Sequence, residues 1–354
     1  MSAQQESPEG AEIGESPILS AGPFEYRPGR GLRAGSSGLV IGGFTNIKAE
    51  DTREGGGEFS LDTLNFFFIF DRFTRFRAVA ELQLKDIFTA DGDNAGTKDF
   101  AFDARRLFGD FTVSDQLHVR AGTFLTPVGY WNLILAPPLT WTTELPLIVE
   151  ETFFQQTTTG VMLHGSTPLP RGRLGYSLFS QFLDPLEEDP ELEPPKNTAG
   201  VRLTYEDGLI WSAGLTYHAA EVDSKPPEPD PDEPELEEMG MPGGWTHLAG
   251  AHLLWQHDRG EVLSEAYFQD GEALVSSQWG TYLQGVVEIY RPFYLVGRYE
   301  HFNPPEDKTL NVFTFGAVWK PVPFMAVKVE YRFADRHPDE DDPQGFYSSF
   351  TTFF

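Results

Sequence analysis

The chain has 354 residues, and its 54 Asp and Glu against 26 Lys and Arg give a formal net charge of −28. This charge repels phosphates and therefore excludes a general nucleic-acid binder. The absence of Cys removes disulfides, thiolate metal sites and Cys nucleophiles. With 30 Phe, 12 Tyr and 7 Trp, the chain offers too much apolar surface for a disordered protein. We expect no cofactor, because Walker, dinucleotide-binding and zincin motifs are missing.

From Gly38 onward, polar and apolar residues alternate with a period of two. Between Arg75 and Lys85, charged and amide side chains occupy every second position except Val79, and Phe, Ala and Leu occupy the others. A helix at 3.6 residues per turn would scatter both sets over all its faces. The alternation therefore predicts strands with one polar and one apolar face.

Marking every such segment predicts about sixteen strands. They start near Gly38, Phe59, Arg75, Phe100, Leu117, Thr159, Arg173, Ala199, Leu209, Thr246, Glu261, Trp279, Phe293, Asn311, Met325 and Phe346. Short turns and long loops alternate strictly between them. This pattern predicts an all-β, transmembrane, up-and-down antiparallel barrel in the bacterial outer membrane, with outer-membrane lipid around it.

A soluble sandwich or propeller is the alternative. It has no reason to sort long and short connections onto opposite rims, or to place aromatic residues beside the short turns. Such residues are found there, at Phe70 and Phe73, at Tyr290 and Phe293, and at Trp319. Amphipathic rings at one level are typical of an interfacial girdle. The barrel is favoured, and sixteen strands belong to the size class that leaves an aqueous channel.

Three stretches resemble a known family. Residues 24–32, leading into residues 39–43, resemble the entry to the first strand of Gram-negative porins, and the phosphate-selective porin O/P-like group is the closest match. Residues 120–129, Arg-Ala-Gly-Thr-Phe-Leu-Thr-Pro-Val-Gly, resemble the segment that leads this family into its long third loop. The terminal aromatic Phe354 resembles the signal read by the barrel-assembly machinery.

The resemblance implies a 16-stranded channel, either a homotrimer or a monomer, with the third loop folded inward. Family members of the phosphate type line their constriction with many Arg and Lys. This chain departs from that pattern because its polar strand faces carry both signs. Residues 1–37 are expected to form a periplasmic extension or partial plug, and residues 38–354 the barrel.

The polar strand faces should line the pore, because a base facing lipid near the midplane costs about 2–4 kcal/mol. The predicted pore-lining residues are Arg77, Glu81, Lys85, His118, Arg120, Arg173, Arg202, Glu265, Glu288, Arg298, Glu300, Lys328, Glu330 and Arg332. They could set ion selectivity, or they could form a salt-bridged ladder that only holds the wall. Asp103, Arg105 and Arg106 break the alternation, which predicts a bulge there.

The third loop, residues 126–158, is too apolar for a solvated loop. It is expected to fold into the channel and narrow it; packing on a partner is the alternative. The predicted constriction residues are Pro127, Tyr130, Trp131, Glu144, Glu150 and Glu151. The three acids would stand at the narrow point, opposite basic wall residues.

The sequence thus predicts an outer-membrane porin that passes small hydrophilic solutes without a chemical step. Residues 184–196, 221–238 and 335–343 hold 20 acids and three bases, so the acidity belongs to the long-loop rim. The predicted pore-lining residues of the wall instead include more bases than acids, which slightly favours anions. Two alternatives stay open: a plugged barrel that acts as a structural or docking component, and a membrane-embedded hydrolase using Ser264 or Ser277 near a His.

Overall fold

The computed structural model describes residues 18–53, 55–92, 94–97, 100–150, 154–184, 195–208, 210–223, 243–274, 276–304, 309–335 and 343–354. Within these ranges, twenty strands belong to one sheet. They are β1 (Leu19–Ala21), β2 (Phe24–Arg27), β3 (Gly31–Ala34), β4 (Leu39–Thr52), β5 (Gly56–Phe73), β6 (Phe76–Asp91), β7 (Ala95–Gly96), β8 (Ala101–Ser114), β9 (Leu117–Leu125), β10 (Thr157–Pro168), β11 (Arg173–Leu183), β12 (Asn197–Asp207), β13 (Trp211–Val222), β14 (Gly244–His257), β15 (Gly260–Gly271), β16 (Gln278–Tyr290), β17 (Phe293–Asn303), β18 (Leu310–Trp319), β19 (Met325–Ala334) and β20 (Gly345–Phe353).

Sixteen of these strands, all except β1–β3 and β7, form a closed antiparallel barrel. Each wall strand pairs with its neighbours in sequence, and β20 pairs with β4 from Gly345 opposite Thr52 to Phe353 opposite Phe44. The closure satisfies the backbone groups that a sheet edge would leave unpaired. The predicted up-and-down barrel of about sixteen strands is confirmed, and every predicted strand start lies within three residues of the observed one.

The outer face of the wall is apolar. Leu215 and Phe315 point outward and are 64% and 65% exposed. Aromatic rings form cross-strand pairs beside the short turns, with ring centroids 6.3 Å apart for Trp211 and Trp255. In water this apolar surface would be exposed at a cost in hydrophobic free energy, whereas in a bilayer it contacts the lipid hydrocarbon. The short turns and the aromatic girdle therefore mark one interface of the wall.

A bulge in β8 changes which side chains face inward. The pairing of β6 with β8 shifts between Glu81 and Leu82, whose partners are Arg106 and Ala104, so Arg105 is the extra residue. Two consecutive arginines consequently both face the interior, whereas a regular strand would send one of them outward. The predicted bulge is present.

The first described residues continue the wall at its short-turn rim. Strands β1, β2 and β3 form a meander, and Arg33 of β3 pairs with Val40 at the start of β4. The meander places Glu25, Arg27 and Arg33 on one face with Val40, and Phe24, Tyr26 and Leu32 on the other. Residues 1–17 lie outside the described residues.

Helical structure in the described residues is confined to short turns and α1 (Leu147–Glu150). None of these helices is long and apolar enough to cross a membrane.

Candidate functional site: the lumen and its third loop

The described part of the third loop between β9 and β10, residues 126–150 and 154–156, lies inside the barrel. Its Trp131 and Ile148, each 1% exposed, form a hydrophobic core with wall residues that include Leu248, Tyr282 and Val312. Burying such side chains contributes about 1.5–3 kcal/mol each. The prediction that this loop folds inward is confirmed.

Gly129 lets the loop approach the wall closely. Its φ is +61°, and a Cβ at this position would lie 1.7 Å from the hydroxyl oxygen of Tyr267 and 2.2 Å from a carboxylate oxygen of Glu265. Only glycine satisfies both the backbone angle and the space. The Thr-Pro-Val-Gly sequence at 126–129 thus starts the loop where it meets the opposite wall.

Glu265 of β15 holds the first turn of the loop. Its carboxylate accepts hydrogen bonds from the backbone N–H of Trp131 at 2.8 Å and of Tyr130 at 3.0 Å. It also accepts from the hydroxyls of Tyr267 and Tyr282, at 2.5 and 2.8 Å. Four donors on one fully buried carboxylate replace the water that an anion otherwise needs.

Two further glutamates hold the later part of the loop by its backbone. Glu330 accepts from the N–H of Thr143 at 2.9 Å and of Glu144 at 3.1 Å. Glu300 accepts from the N–H of Leu147 at 2.6 Å and from Nε of Arg298 at 2.8 Å. Each acid therefore fixes a point of the loop.

Two buried cations bind the loop's oxygen atoms. Arg298 donates to the Thr142 hydroxyl at 2.7 Å and to the carbonyls of Glu144 and Leu145, both at 3.0 Å. Lys328 donates to the carbonyls of Pro137 and Thr142 and to the Thr140 hydroxyl, at 2.7–2.9 Å. A buried ammonium needs such a complete set of acceptors.

The loop covers many of the wall residues that we predicted to line the pore. Glu265, Arg298, Glu300, Lys328, Glu330 and Arg332 are at most 2% exposed. Their expected contact with pore water is therefore wrong, because the loop occupies the space in front of β15–β19. These six residues fit the alternative prediction of a structural role better. Most of their hydrogen bonds and ion pairs, however, are made with the loop rather than with neighbouring wall strands.

The loop's acids also differ from the expectation. Glu144 is 9% exposed and lies 3.3 Å from the ammonium of Lys48. Glu150 is exposed, with Arg332 at 3.7 Å, and Glu151 lies outside the described residues. Both described acids therefore lie beside bases of the wall, Glu144 buried and Glu150 exposed.

The open side of the lumen is lined by four arginines on β8, β9 and β12, which we call the arginine arc: Arg105, Arg106, Arg120 and Arg202. Two are neutralised by ion pairs, Arg106 with Glu81 and Arg120 with Asp110. Arg202 has no hydrogen bond or ion pair to any described residue, and its Nε is buried. The arc therefore presents excess positive charge to the lumen.

The loop edge opposite the arc is apolar. Leu133, Ile134, Leu135, Ala136 and Leu139, here called the lip, line a cavity of about 160 Å³ with Arg105 and Arg106. Leu133 also lines a neighbouring cavity of about 230 Å³, together with Arg106, Arg120, Arg202 and the predicted constriction residue Pro127. The narrow passage thus runs between a hydrocarbon edge and a cationic wall.

Towards the short turns, the lumen continues into a cavity of about 320 Å³ lined by His118, His164, Arg173, Arg202 and Glu206, among others. The rings of His118 and His164 stack with centroids 5.2 Å apart, and Nε2 of His164 lies 3.0 Å from Asp110. The cavity shares Arg202 and His164 with the preceding one.

The other predicted residues lie nearer the rims or behind the loop. Lys85 lies 3.4 Å from Asp103, closer to the long-loop rim. Arg77 is exposed near the short turns, where Glu288 pairs with Arg291 at 3.0 Å. Tyr130 is half-buried against His252, with ring centroids 5.9 Å apart.

Sequence reasoning missed Lys48, Asp110 and His164 and left Arg105 and Arg106 without a direction. The inward position of Lys48 can be read from its alternation with Ile47 and Ala49, and that of Asp110 from its alternation with Gly109 and Phe111. The bulge signal was noted, but a bulge alone does not tell which arginine turns inward.

No protein-family model matches the chain. An uncharacterised protein of Aquifex aeolicus (strain VF5) is 22% identical over 389 residues, covering 94% of this chain and 85% of that protein. Outer-membrane expressed OmpT of Vibrio cholerae superimposes with a TM-score of 0.63 at 7% identity, over 96% of this chain and 100% of that one.

An anion-selective porin from Comamonas acidovorans gives a TM-score of 0.60 at 12% identity, over 89% of this chain and 99% of that one. OmpF of Salmonella typhi, in complex with daunomycin, gives 0.58 at 10% identity, over 95% and 99%. At such identities the likeness shows the fold, so the phosphate-selective group stays a prediction. The chain has the fold of the 16-stranded outer-membrane porins.

Proposed function

We propose that the protein is an outer-membrane channel that lets small hydrophilic solutes diffuse passively and prefers anions. The carrying observation is Arg202, which makes no hydrogen bond or close ion pair with a described residue and lines a cavity of the lumen together with Arg106 and Arg120. A cation exposed to pore water attracts anions and repels cations.

The balance of charge along the open wall supports a preference for anions over cations. Glu81, Asp103 and Asp110 each lie within ion-pair distance of a base. Arg202 and Arg173 have no carboxylate within that distance among the described residues, although Glu206 lies across from Arg173 in the β11–β12 pairing and lines the same cavity. The ion pairs largely cancel at a distance, and two arginines against one glutamate leave a positive charge for a passing ion to meet.

The surroundings of the channel follow from its surface. The apolar outer face would lie in outer-membrane lipid. Residues 1–37 are proposed to be a periplasmic extension or partial plug, and the described part of them begins at residue 18, at the short-turn rim. A trimer form is described for OmpT of Vibrio cholerae. A homotrimer is our proposal for this chain too, and chemical cross-linking in detergent tests it.

Arg202→Gln tests the anion preference directly, because it strands no carboxylate. One unit charge at about 5 Å in a water-like dielectric favours chloride by about 0.8 kcal/mol and disfavours potassium by the same amount. Each effect is about fourfold, so the chloride-to-potassium permeability ratio should fall by about sixteenfold at low salt. The matched control is Lys196→Gln, which removes one positive charge from an exposed ion pair with Asp223. The control should leave the ratio unchanged.

Planar-bilayer recording of refolded protein measures both variants. An equal ratio in wild type and Arg202→Gln would refute the role of the arc. A folded barrel without any conductance would instead favour the plugged barrel, in which the third loop and its hydrophobic core close the lumen and the protein serves as a structural or docking component.

A further inference from the structure

The lip keeps two large leucines in contact with pore water. Leu133 is 36% exposed and Leu139 is 51% exposed, although Trp131, two residues before Leu133, is fully buried in the loop's core. The loop therefore buries some of its apolar side chains in its core but exposes these two leucines to the passage. An exposed apolar edge costs free energy in water unless something apolar contacts it.

The wall across from the lip is also partly apolar. The guanidinium of Arg106 lies 5.3 Å above the ring of Phe67, and that of Arg120 lies 4.2 Å above the ring of Phe108. Stacking on a ring holds a guanidinium flat and leaves its edge free to donate. The passage therefore offers hydrocarbon on both sides and positive charge on one.

Arg202 is the arginine of the arc that is available to a solute. It makes no hydrogen bond or close ion pair with a described residue, and it lines the cavity of about 230 Å³. A guanidinium binds a planar carboxylate through parallel N–H···O bonds. A carboxylate head group at Arg202 would lie within the cavity that Leu133 also lines.

From this geometry we propose that the preferred solutes are amphipathic organic anions, each a carboxylate on a compact hydrocarbon body such as a single ring. The inference rests on the proposed function and specifies its substrate class. The head group binds the arginine arc while the body contacts the lip. The linked cavities of about 160 and 230 Å³ share Arg106, Leu125 and Leu133, and they suit a ring-sized solute rather than a drug-sized one.

Occlusion of the chloride current by added anions tests the proposal. Phenylacetate and acetate carry the same head group and differ by a ring. We expect phenylacetate to halve the chloride current at a concentration about tenfold lower than acetate does, because the ring buries apolar surface against the lip.

Two substitutions separate the lip from the arc. Leu133→Ser should bring the half-blocking concentrations of the two anions to within about threefold, because it removes most of the apolar contact. Arg202→Gln should weaken both anions alike and keep their ratio. Leu169→Ser is the matched control, since Leu169 is 40% exposed in the turn after β10, away from the lip.

Leu139→Ser takes the place of Leu133→Ser if the latter does not fold. Equal block by phenylacetate and acetate, or an unchanged ratio in the lip variant, would overturn the proposal even if the channel prefers chloride over potassium. A missing preference for chloride would instead count against the proposed function itself, so the two failures are distinguishable.

Discussion

Glu265→Gln should loosen the third loop without removing any apolar contact. The carboxylate accepts four hydrogen bonds, from two backbone N–H groups of the loop and from two tyrosine hydroxyls. The amide keeps one accepting oxygen, and its NH₂ group meets one backbone N–H, which cannot accept, and one tyrosine hydroxyl, which can. One loop N–H is left buried and unpaired, at about 1–3 kcal/mol. The loop should therefore lose about 1–3 kcal/mol of its attachment.

The loss should appear as motion of the loop inside a barrel that still folds. Sixteen paired strands do not depend on Glu265 for their hydrogen bonds, so heat-modifiable migration in gels should persist. Single-channel recordings should show larger open-channel noise and a higher mean conductance. The matched control is Glu288→Gln, which changes the same group in a half-buried residue paired with exposed Arg291 near the short turns.

An unchanged conductance and noise in folded Glu265→Gln, equal to those of the control, would refute the view that this carboxylate holds the loop. Equal changes in both variants would mean that any loss of wall charge alters the current. Only a change specific to Glu265 supports the account.

Three further predictions concern the same loop. Lys328→Met removes the donor to Pro137 and Thr142, so we expect higher conductance than in Lys196→Met, and equal conductance would argue against this contact. Gly129→Ala should reduce the yield of folded barrel, because a Cβ there overlaps the opposite wall. The control Gly57→Ala should fold normally, because no atom lies within 4 Å of its Cβ. Equal yields of the two variants would show that the loop can move aside. Enclosure in the lumen raises the pKa of Glu150 to about 7, with Arg332 opposing the shift. The carboxyl is therefore neutral below and negative above this pH, so the chloride-to-potassium ratio should fall between pH 6 and pH 8, and part of that fall should be missing in Glu150→Gln. An identical pH dependence in the variant would remove Glu150 from the explanation.

The barrel could be predicted from the sequence because each wall strand sees lipid on one face and polar surroundings on the other. The contrast forces alternation that is visible residue by residue, as between Arg75 and Lys85. Prolines, glycines and acids between such stretches then fix the connections. Even the weak strand expected near Thr159 is present as β10.

The division of the lumen into a covered and an open side could not be predicted in this way. Alternation shows that Lys328 and Arg202 both point inward, but not that one meets the loop and the other meets water. That difference depends on where the third loop lies, which is set by contacts more than a hundred residues apart, such as Trp131 with Glu265. An apolar loop with a glycine at its start predicts inward folding, but not the side it takes.

The reversal potential of the wild-type channel tests the central claim most directly. Refolded protein in a planar bilayer with a tenfold KCl gradient should give a reversal potential of the sign set by chloride, because the arginine arc lines the open passage. A reversal potential of the sign set by potassium, recorded from folded and conducting protein, would contradict the account.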